Sequence, residues 1–213
     1  IDLWHSTADA LASTALLFQR EGWQAGKPWG SEVLLPKDFA YQDADLATLK
    51  PLSEWAARGV KLVSGGALPD GDDMAALYLP AGANGPALLT LNNFRQIMKY
   101  NNAASYALAV SLLAERMMDR PGIQTAWPRT EKLLSRADRL RFQTDLAALG
   151  YDAGEPDGLL GRKARAALRQ YQAAHGLVAD AYPTMAMLSL LDTDASKAAR
   201  PEPVSRDRLI KSD

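Results

Sequence analysis

The sequence predicts a mainly α-helical protein with a small antiparallel β-sheet inserted into its first part and a separate three-helix domain after it. Three observations carry this. Apolar residues recur at helical spacing along most of the chain, as in Leu11, Ala15, Leu16 and Phe18, and again in Phe142, Leu146 and Leu149. The clearest β signal is one pair of apolar segments that flank turn residues in the manner of a hairpin. The periodicity then lapses between about residues 120 and 134, where Pro121 and Pro128 fall.

Taken in order, Ser6 to Gly22 reads as a helix. Ser6 and Asp9 resemble a capping box, Gly22 is a C-terminal stop, and Leu11, Ala15, Leu16 and Phe18 form its expected buried side. Trp23 to Pro36 is a loop entering a short strand at Glu32–Pro36, with Trp23 and Trp29 read as loop anchors rather than sugar platforms. A short helix follows with Ser53 as N-cap, Leu52 and Trp55 buried and Gly59 as stop. Ala75–Pro80 and Pro86–Leu91 flank Asn84-Gly85, which favours a tight hairpin turn, and with the Val33 strand they make a three-stranded sheet. The run Asp70, Asp72, Asp73 lacks EF-hand spacing and reads as a solvated loop.

Leu91 to Val110 is the stretch around which the rest is organised, because its apolar positions are interrupted by amides and phenols instead of charges. Asn92 and Asn93 are expected to cap one helix. Asn101 and Asn102 break it and are expected to cap the next, whose apolar stripe is Tyr106, Ala107, Val110, Leu113 and Ala114. Tyr100, Asn101 and Tyr106 then meet at one corner. Rings beside amides suit sugars, whose C–H faces stack while their hydroxyls need donors and acceptors; core tyrosines with capping asparagines are the other reading.

Beyond the lapse, Ser135 to Leu191 reads as three helices, ended in turn by Gly150, by Gly176 and beyond Leu191, with a glycine-rich loop from Gly150 to Gly161. From residue 193 to 213 the chain is charged, carries Pro201 and Pro203 and is expected to be a flexible tail.

Composition narrows the function classes. An apolar content of 47% supports a core, and a formal net charge of −1 gives no reason to expect nucleic acid or an anionic membrane as partner. The chain has no cysteine, which excludes disulfides, thiolate metal sites and a cysteine nucleophile. Its two histidines, His5 and His175, lie far apart, so no metal site or cofactor is expected. No apolar run is long enough to span a bilayer. The first residue is Ile rather than Met, as in a processed or truncated chain.

Three segments, in order, resemble one family. Asn93-Phe94, Tyr100-Asn101 and Tyr106–Val110 resemble the C-terminal signature of the membrane-bound lytic transglycosylase B family, and Ala8–Ala15 ending in Gly22-Trp23 is similar to its helix beside the active site. Gly150-Tyr151, Asp157-Gly158, Gly161, Arg165, Tyr171-Gln172 and Gly176-Leu177 resemble the peptidoglycan-binding domain of cell-wall enzymes. The departures are Leu16-Leu17 where the family commonly has Asn-Tyr, Ala164 where threonine is common, and Asp180-Ala181 where Asp-Gly is common.

The resemblance implies a lysozyme-like catalytic-domain portion at residues 1–119, a linker at 120–134, a peptidoglycan-binding domain at 135–192 and the tail. It implies non-hydrolytic cleavage of the β-1,4 bond between N-acetylmuramic acid and N-acetylglucosamine, closing a 1,6-anhydro ring, with a single glutamic acid as proton donor and then base. In the family that glutamate precedes the helix containing Ser13, so no catalytic residue is expected in this chain. Glu21, Glu32 and Glu54 read as surface charges and not as substitutes. By the same resemblance Ser13, Tyr100, Asn101 and Tyr106 bind the glycan, and Tyr151, Asp157, Arg165, Tyr171 and Gln172 belong to the wall-binding module. From spacing alone Ser13 is a small residue at a helix contact, Asp157 a turn residue and Arg165 a solvated charge.

The expected partners are peptidoglycan strands and an N-terminal portion of the same protein. The implied location is periplasmic and wall-associated, with an upstream lipid anchor left open. A non-catalytic peptidoglycan-binding or scaffolding protein is the alternative, and a helical interaction domain that binds no glycan the third reading.

Overall fold

The computed structural model describes residues 1–199 and divides into two compact units, Ile1–Pro128 and Arg129 onward. In the first, α1 (Thr7–Arg20) begins at Ser6, whose hydroxyl accepts from the Asp9 N–H at 3.2 Å. The Asp9 carboxylate turns away and accepts from the Asp2 N–H, so half of the capping box forms. The expected buried side of α1 is not observed. No residue of the helix is buried and Leu11 is 66% exposed, because only the Phe18 end reaches the core.

Next come β1 (Gly30–Leu34), β2 (Lys50–Pro51), α2 (Leu52–Ala57), β3 (Lys61–Leu62), β4 (Met74–Tyr78) and β5 (Ala87–Thr90). The strands form one antiparallel sheet in the order β2-β4-β5-β1-β3, so the expected three-stranded core is flanked by two very short edge strands. Register is fixed by pairs such as Gly30 with Thr90 and Tyr78 with Leu88. Gly30 is required there, since a Cβ would lie 2.5 Å from the Leu89 carbonyl oxygen.

Two local expectations are corrected. Helix α2 starts after Pro51, whose extended ψ of 150° sets the N-cap, and Ser53 lies inside the first turn. Asn84-Gly85 is not a tight turn. Gly82–Asn84 form a 3-10 turn in which Gly82 carries the positive φ of 68°, whereas Gly85 is extended. Glycine is needed at 85 for space, as a Cβ would meet that of Ala81 at 2.6 Å.

Strand β5 is buried along its whole length because both faces of the sheet are covered. Ala87 and Leu89 join a core with Val33, Leu52, Trp55 and Leu77, while Leu88 points into another with Trp29, Phe94, Ile97 and Leu108. That second core is roofed by α3 (Asn92–Tyr100) and α4 (Ala104–Met117).

The asparagines do not cap these helices. No side chain caps α3 or α4, and Leu91 and Ala103 occupy their N-cap positions. Asn93 instead ties down the preceding loop, accepting from the Gln24 N–H at 2.8 Å and donating to the carbonyls of Gln24 and Lys27 at 2.9 and 2.7 Å. The buried face of α4 is Ala107, Leu108 and Ser111, leaving Leu113 exposed, because the helix meets α3 through small residues. The Glu32 carboxylate then accepts from the N–H groups of Gln124 and Thr125, at 2.7 and 2.8 Å, and fastens the segment after α4 to β1.

The second unit holds α5 (Arg136–Ala148), α6 (Arg162–Ala174) and α7 (Met185–Ala198) around Phe142, Leu146, Leu168, Tyr171, Leu188 and Leu191. Ser135 and Asp138 form a complete capping box on α5, and Thr184 caps α7. Helix α7 continues to Ala198, so the tail expected from residue 193 starts as helix. The remainder of that expected tail, from residue 200, lies outside the described residues.

Ala181 is buried with a φ of 57°, a left-handed conformation that costs an L-residue energy and explains why Asp-Gly is the commoner pair. Relief of this strain is partly offset by loss of a buried methyl group. Ala181→Gly should therefore stabilise the second unit by roughly 0.5 kcal/mol, read as a higher calorimetric midpoint; a lower midpoint would contradict the strain argument.

Candidate functional site

The corner between α3 and α4 brings Tyr100, Asn101 and Tyr106 together, as expected. Tyr100 ends α3 and is 60% exposed; Tyr106 lies in the first turn of α4 and is 36% exposed. Their rings stack with centroids 6.3 Å apart at 27°. Phe18 of α1 lies 6.5 Å from Tyr100 and Trp23 lies 5.6 Å from Phe18, so four rings follow one another across the surface. Asn101 is exposed and its main chain closes the corner, its N–H donating to the Ile97 carbonyl and its carbonyl accepting from the Ala103 N–H. Among the described residues its side-chain amide and both phenol hydroxyls have no partner. Donors and acceptors therefore stand free beside flat apolar faces.

Ser13 is half-buried on α1, on the face that Leu17 continues one turn later. Leu17, Phe18, Gln96 and Tyr100 line a hollow of about 250 Å³ beside the rings, with the Glu21–Lys99 ion pair (3.2 Å) at its edge. A larger, mostly apolar cleft of about 390 Å³ lies between Trp23, Trp29, Ile97, Val110 and Met118. Of the two tryptophans read as anchors, Trp29 is buried against Phe94, while Trp23 is 38% exposed and belongs to the ring row. The signal for that role was its spacing from Phe18 across the Gly22 turn, which brings the rings together.

None of the three glutamates considered as substitute acids is free for catalysis. Glu21 pairs with Lys99, Glu32 accepts two backbone N–H groups, and Glu54 meets Lys50 at 2.6 Å and Arg58 at 2.8 Å. The hydrogen bond from Lys50 leads in holding the Glu54 carboxyl below its ordinary value, the opposite of what a general acid needs. Among the described residues no group of histidines and carboxylates could hold a metal ion, and no helix is long and apolar enough to cross a membrane.

In the second unit the five residues expected in the wall-binding module do not share a surface. Tyr171 is fully buried, its hydroxyl donating to Asp194 at 2.7 Å; burial first and that carboxylate second push its phenol well above the ordinary range. Gln172 is also buried, its amide donating to Asp180 and its oxygen accepting from the Ala181 N–H. Tyr151 packs edge-on against Tyr171 at 5.7 Å. These three pack and hydrogen-bond within the module. Asp157 is a turn residue, its carboxylate accepting from the Leu159 N–H at 2.7 Å and from the Gln143 amide at 3.1 Å. Arg165 alone borders an open cleft.

Replacing Tyr171 with Phe should lower the stability of the second unit by about 1.5 kcal/mol, by removing the shortest hydrogen bond to Asp194 and leaving it only Lys197 at 3.4 Å and His175 at 3.5 Å, while wall affinity per folded molecule stays unchanged. Pelleting with insoluble cell wall at a temperature where the variant is folded distinguishes support from contact.

The transglycosylase SLT domain model matches residues 1–115, and the peptidoglycan binding domain model matches residues 135–191. Among solved structures, the chain is similar to SltB3 from Pseudomonas aeruginosa in complex with NAG-anhNAM-pentapeptide, at 50% identity and a TM-score of 0.87, covering 90% of this chain and 52% of that one. SltB3 in complex with NAG-NAM-pentapeptide gives 50% identity and 0.86, covering 89% and 51%. Catenated SltB1 from the same organism gives 31% identity and 0.46, covering 56% and 39%. A search of curated proteins returns no significant match. The chain spans about half the length of SltB3.

Proposed function

Since the chain belongs to the transglycosylase SLT domain family, we propose that it forms the later part of a lytic transglycosylase that cleaves peptidoglycan to 1,6-anhydromuramic ends. The observation that carries this reading is the row Trp23, Phe18, Tyr100, Tyr106 with the free amide of Asn101 beside it, a surface made for stacking sugars and pairing their hydroxyls. Tyr100, Asn101 and Tyr106 are the glycan contacts, and Ser13 stands on the helix that borders them. The second unit, Arg129 onward, anchors the chain to the wall, and the location is the periplasm.

The catalytic glutamate belongs to an upstream portion of the protein. Two observations support that. The chain spans about half of SltB3, and Leu11, Leu16, Leu113 and Met117 leave apolar faces of α1 and α4 open, which an upstream helical portion would cover. The tied-up states of Glu21, Glu32 and Glu54 favour a second reading for this chain taken alone, a non-catalytic peptidoglycan binder.

Product analysis on purified peptidoglycan decides between them. The 213-residue chain is expected to bind without releasing anhydromuropeptides, while the protein with its natural upstream sequence releases them. Binding by the longer protein with no anhydro product overturns the lytic reading in favour of the second. Tyr100→Ala in the longer protein should weaken glycan-strand binding about tenfold, through loss of one stacked ring. Unchanged affinity would remove Tyr100 from the site.

A further inference from the structure

The cleft that Arg165 borders has a composition unlike the ring row of the first unit. It holds about 370 Å³, walled by Leu134, Leu160 and Pro183, with Tyr182, Arg139 and Arg165 facing in and Glu131, Lys132 and Leu133 completing the lining. Three cations therefore face one acid. Neutral sugars call for mixed donors and acceptors and for open rings, whereas this lining is rich in donors and has a single ring.

The arginines are held in place by backbone. Arg139 donates through Nε to the Gly158 carbonyl and through Nη1 to the Leu134 carbonyl, both at 2.7 Å, and Arg165 donates through Nε to the Leu160 carbonyl at 3.2 Å. Among the described residues neither forms an ion pair with a carboxylate. Their remaining N–H groups are thus oriented before any ligand arrives, and a guanidinium fork matches a carboxylate in two parallel hydrogen bonds. Helix α6 begins beside Leu160 with no side-chain cap, which leaves the positive end of its dipole at the same rim.

We propose that this cleft binds the C-terminal carboxylate of a peptidoglycan stem peptide, with Arg165 as its main contact and Leu134, Leu160 and Pro183 receiving small apolar side chains. The inference rests on the wall-binding reading of the second unit. It makes that unit a reader of the peptide and not of the glycan.

The test uses the full 213-residue chain, titrated by calorimetry with a free stem pentapeptide, the same peptide amidated at its C-terminus, and glycan strands stripped of peptide by an amidase; binding to intact sacculi is measured in parallel. Arg139 is left alone, because its removal would free two buried-side carbonyls. Arg165→Gln is the variant and Lys163→Gln, outside the cleft lining, the control. The free pentapeptide should bind, the amide should bind at least tenfold more weakly, and Arg165→Gln should lose at least tenfold with its unfolding midpoint and the control unchanged. Equal affinity for the amide, or an unaffected Arg165→Gln, overturns the proposal. If intact sacculi and stripped strands bind while the pentapeptide does not, the cleft assignment falls and the wall-binding reading stands. No binding to sacculi brings down both.

Discussion

Trp55→Ala is expected to destabilise the first unit by about 5 kcal/mol. Trp55 is completely buried, stacks on Phe39 with centroids 6.4 Å apart, carries the Arg58 guanidinium over its ring and donates through Nε1 to the Ala75 carbonyl at 3.1 Å. Truncation removes the largest side chain of the core beneath the sheet and costs about 4 kcal/mol. The stranded Ala75 carbonyl adds about 1 kcal/mol. Against a domain stability of roughly 5–15 kcal/mol, that sum removes between about a third and all of it. Urea denaturation followed by near-ultraviolet circular dichroism measures it, and a loss below about 2 kcal/mol would show that the sheet and α2 do not depend on this ring.

The next largest effect is expected from Asn93→Ala, at about 3 kcal/mol, because one side chain satisfies three main-chain groups of the Gln24–Lys27 loop. Asn93 is itself fully buried, so water does not readily replace it. The loop it fastens continues directly from Trp23, so glycan binding should fall together with stability. Hydrogen exchange at the Gln24 amide provides the local readout. Protection there that survives the substitution would contradict the role assigned to Asn93.

Both residues illustrate what periodicity conveys and what it leaves out. Among the described residues all seven helices were legible, because apolar residues recur at every third or fourth position whatever covers them. Cap assignments were less secure. Asparagine before a helix satisfies free N–H groups in the same way whether they belong to the helix or to a loop sixty-odd residues earlier, so Asn93 looked like a cap. The buried faces of α1 and α4 were misjudged for a related reason: an apolar stripe shows which side seeks cover, not whether the cover lies within the residues at hand.

The tyrosine corner was visible as a composition anomaly, yet the ring row was not, since Phe18 and Tyr100 meet only through the tertiary fold. The parts that Tyr171 and Gln172 play inside the wall-binding module were not legible either, because a motif residue that packs and one that faces a ligand look alike in a sequence. Burial separates them.

The strand order has a consequence for the time course of folding. Strand β1 finds its central partner in β5, pairing Gly30 with Thr90, and between them come β2, α2, β3 and β4. A chain emerging from a ribosome therefore exposes Val33 and its neighbours well before the segment that protects them has been made. Closure of the sheet is a late, non-local event. Until Thr90 is available, β1 has only the two-residue β3 as a partner, through Val33 with Leu62, and its other edge stays open, the kind of surface on which chaperones act and from which aggregates start.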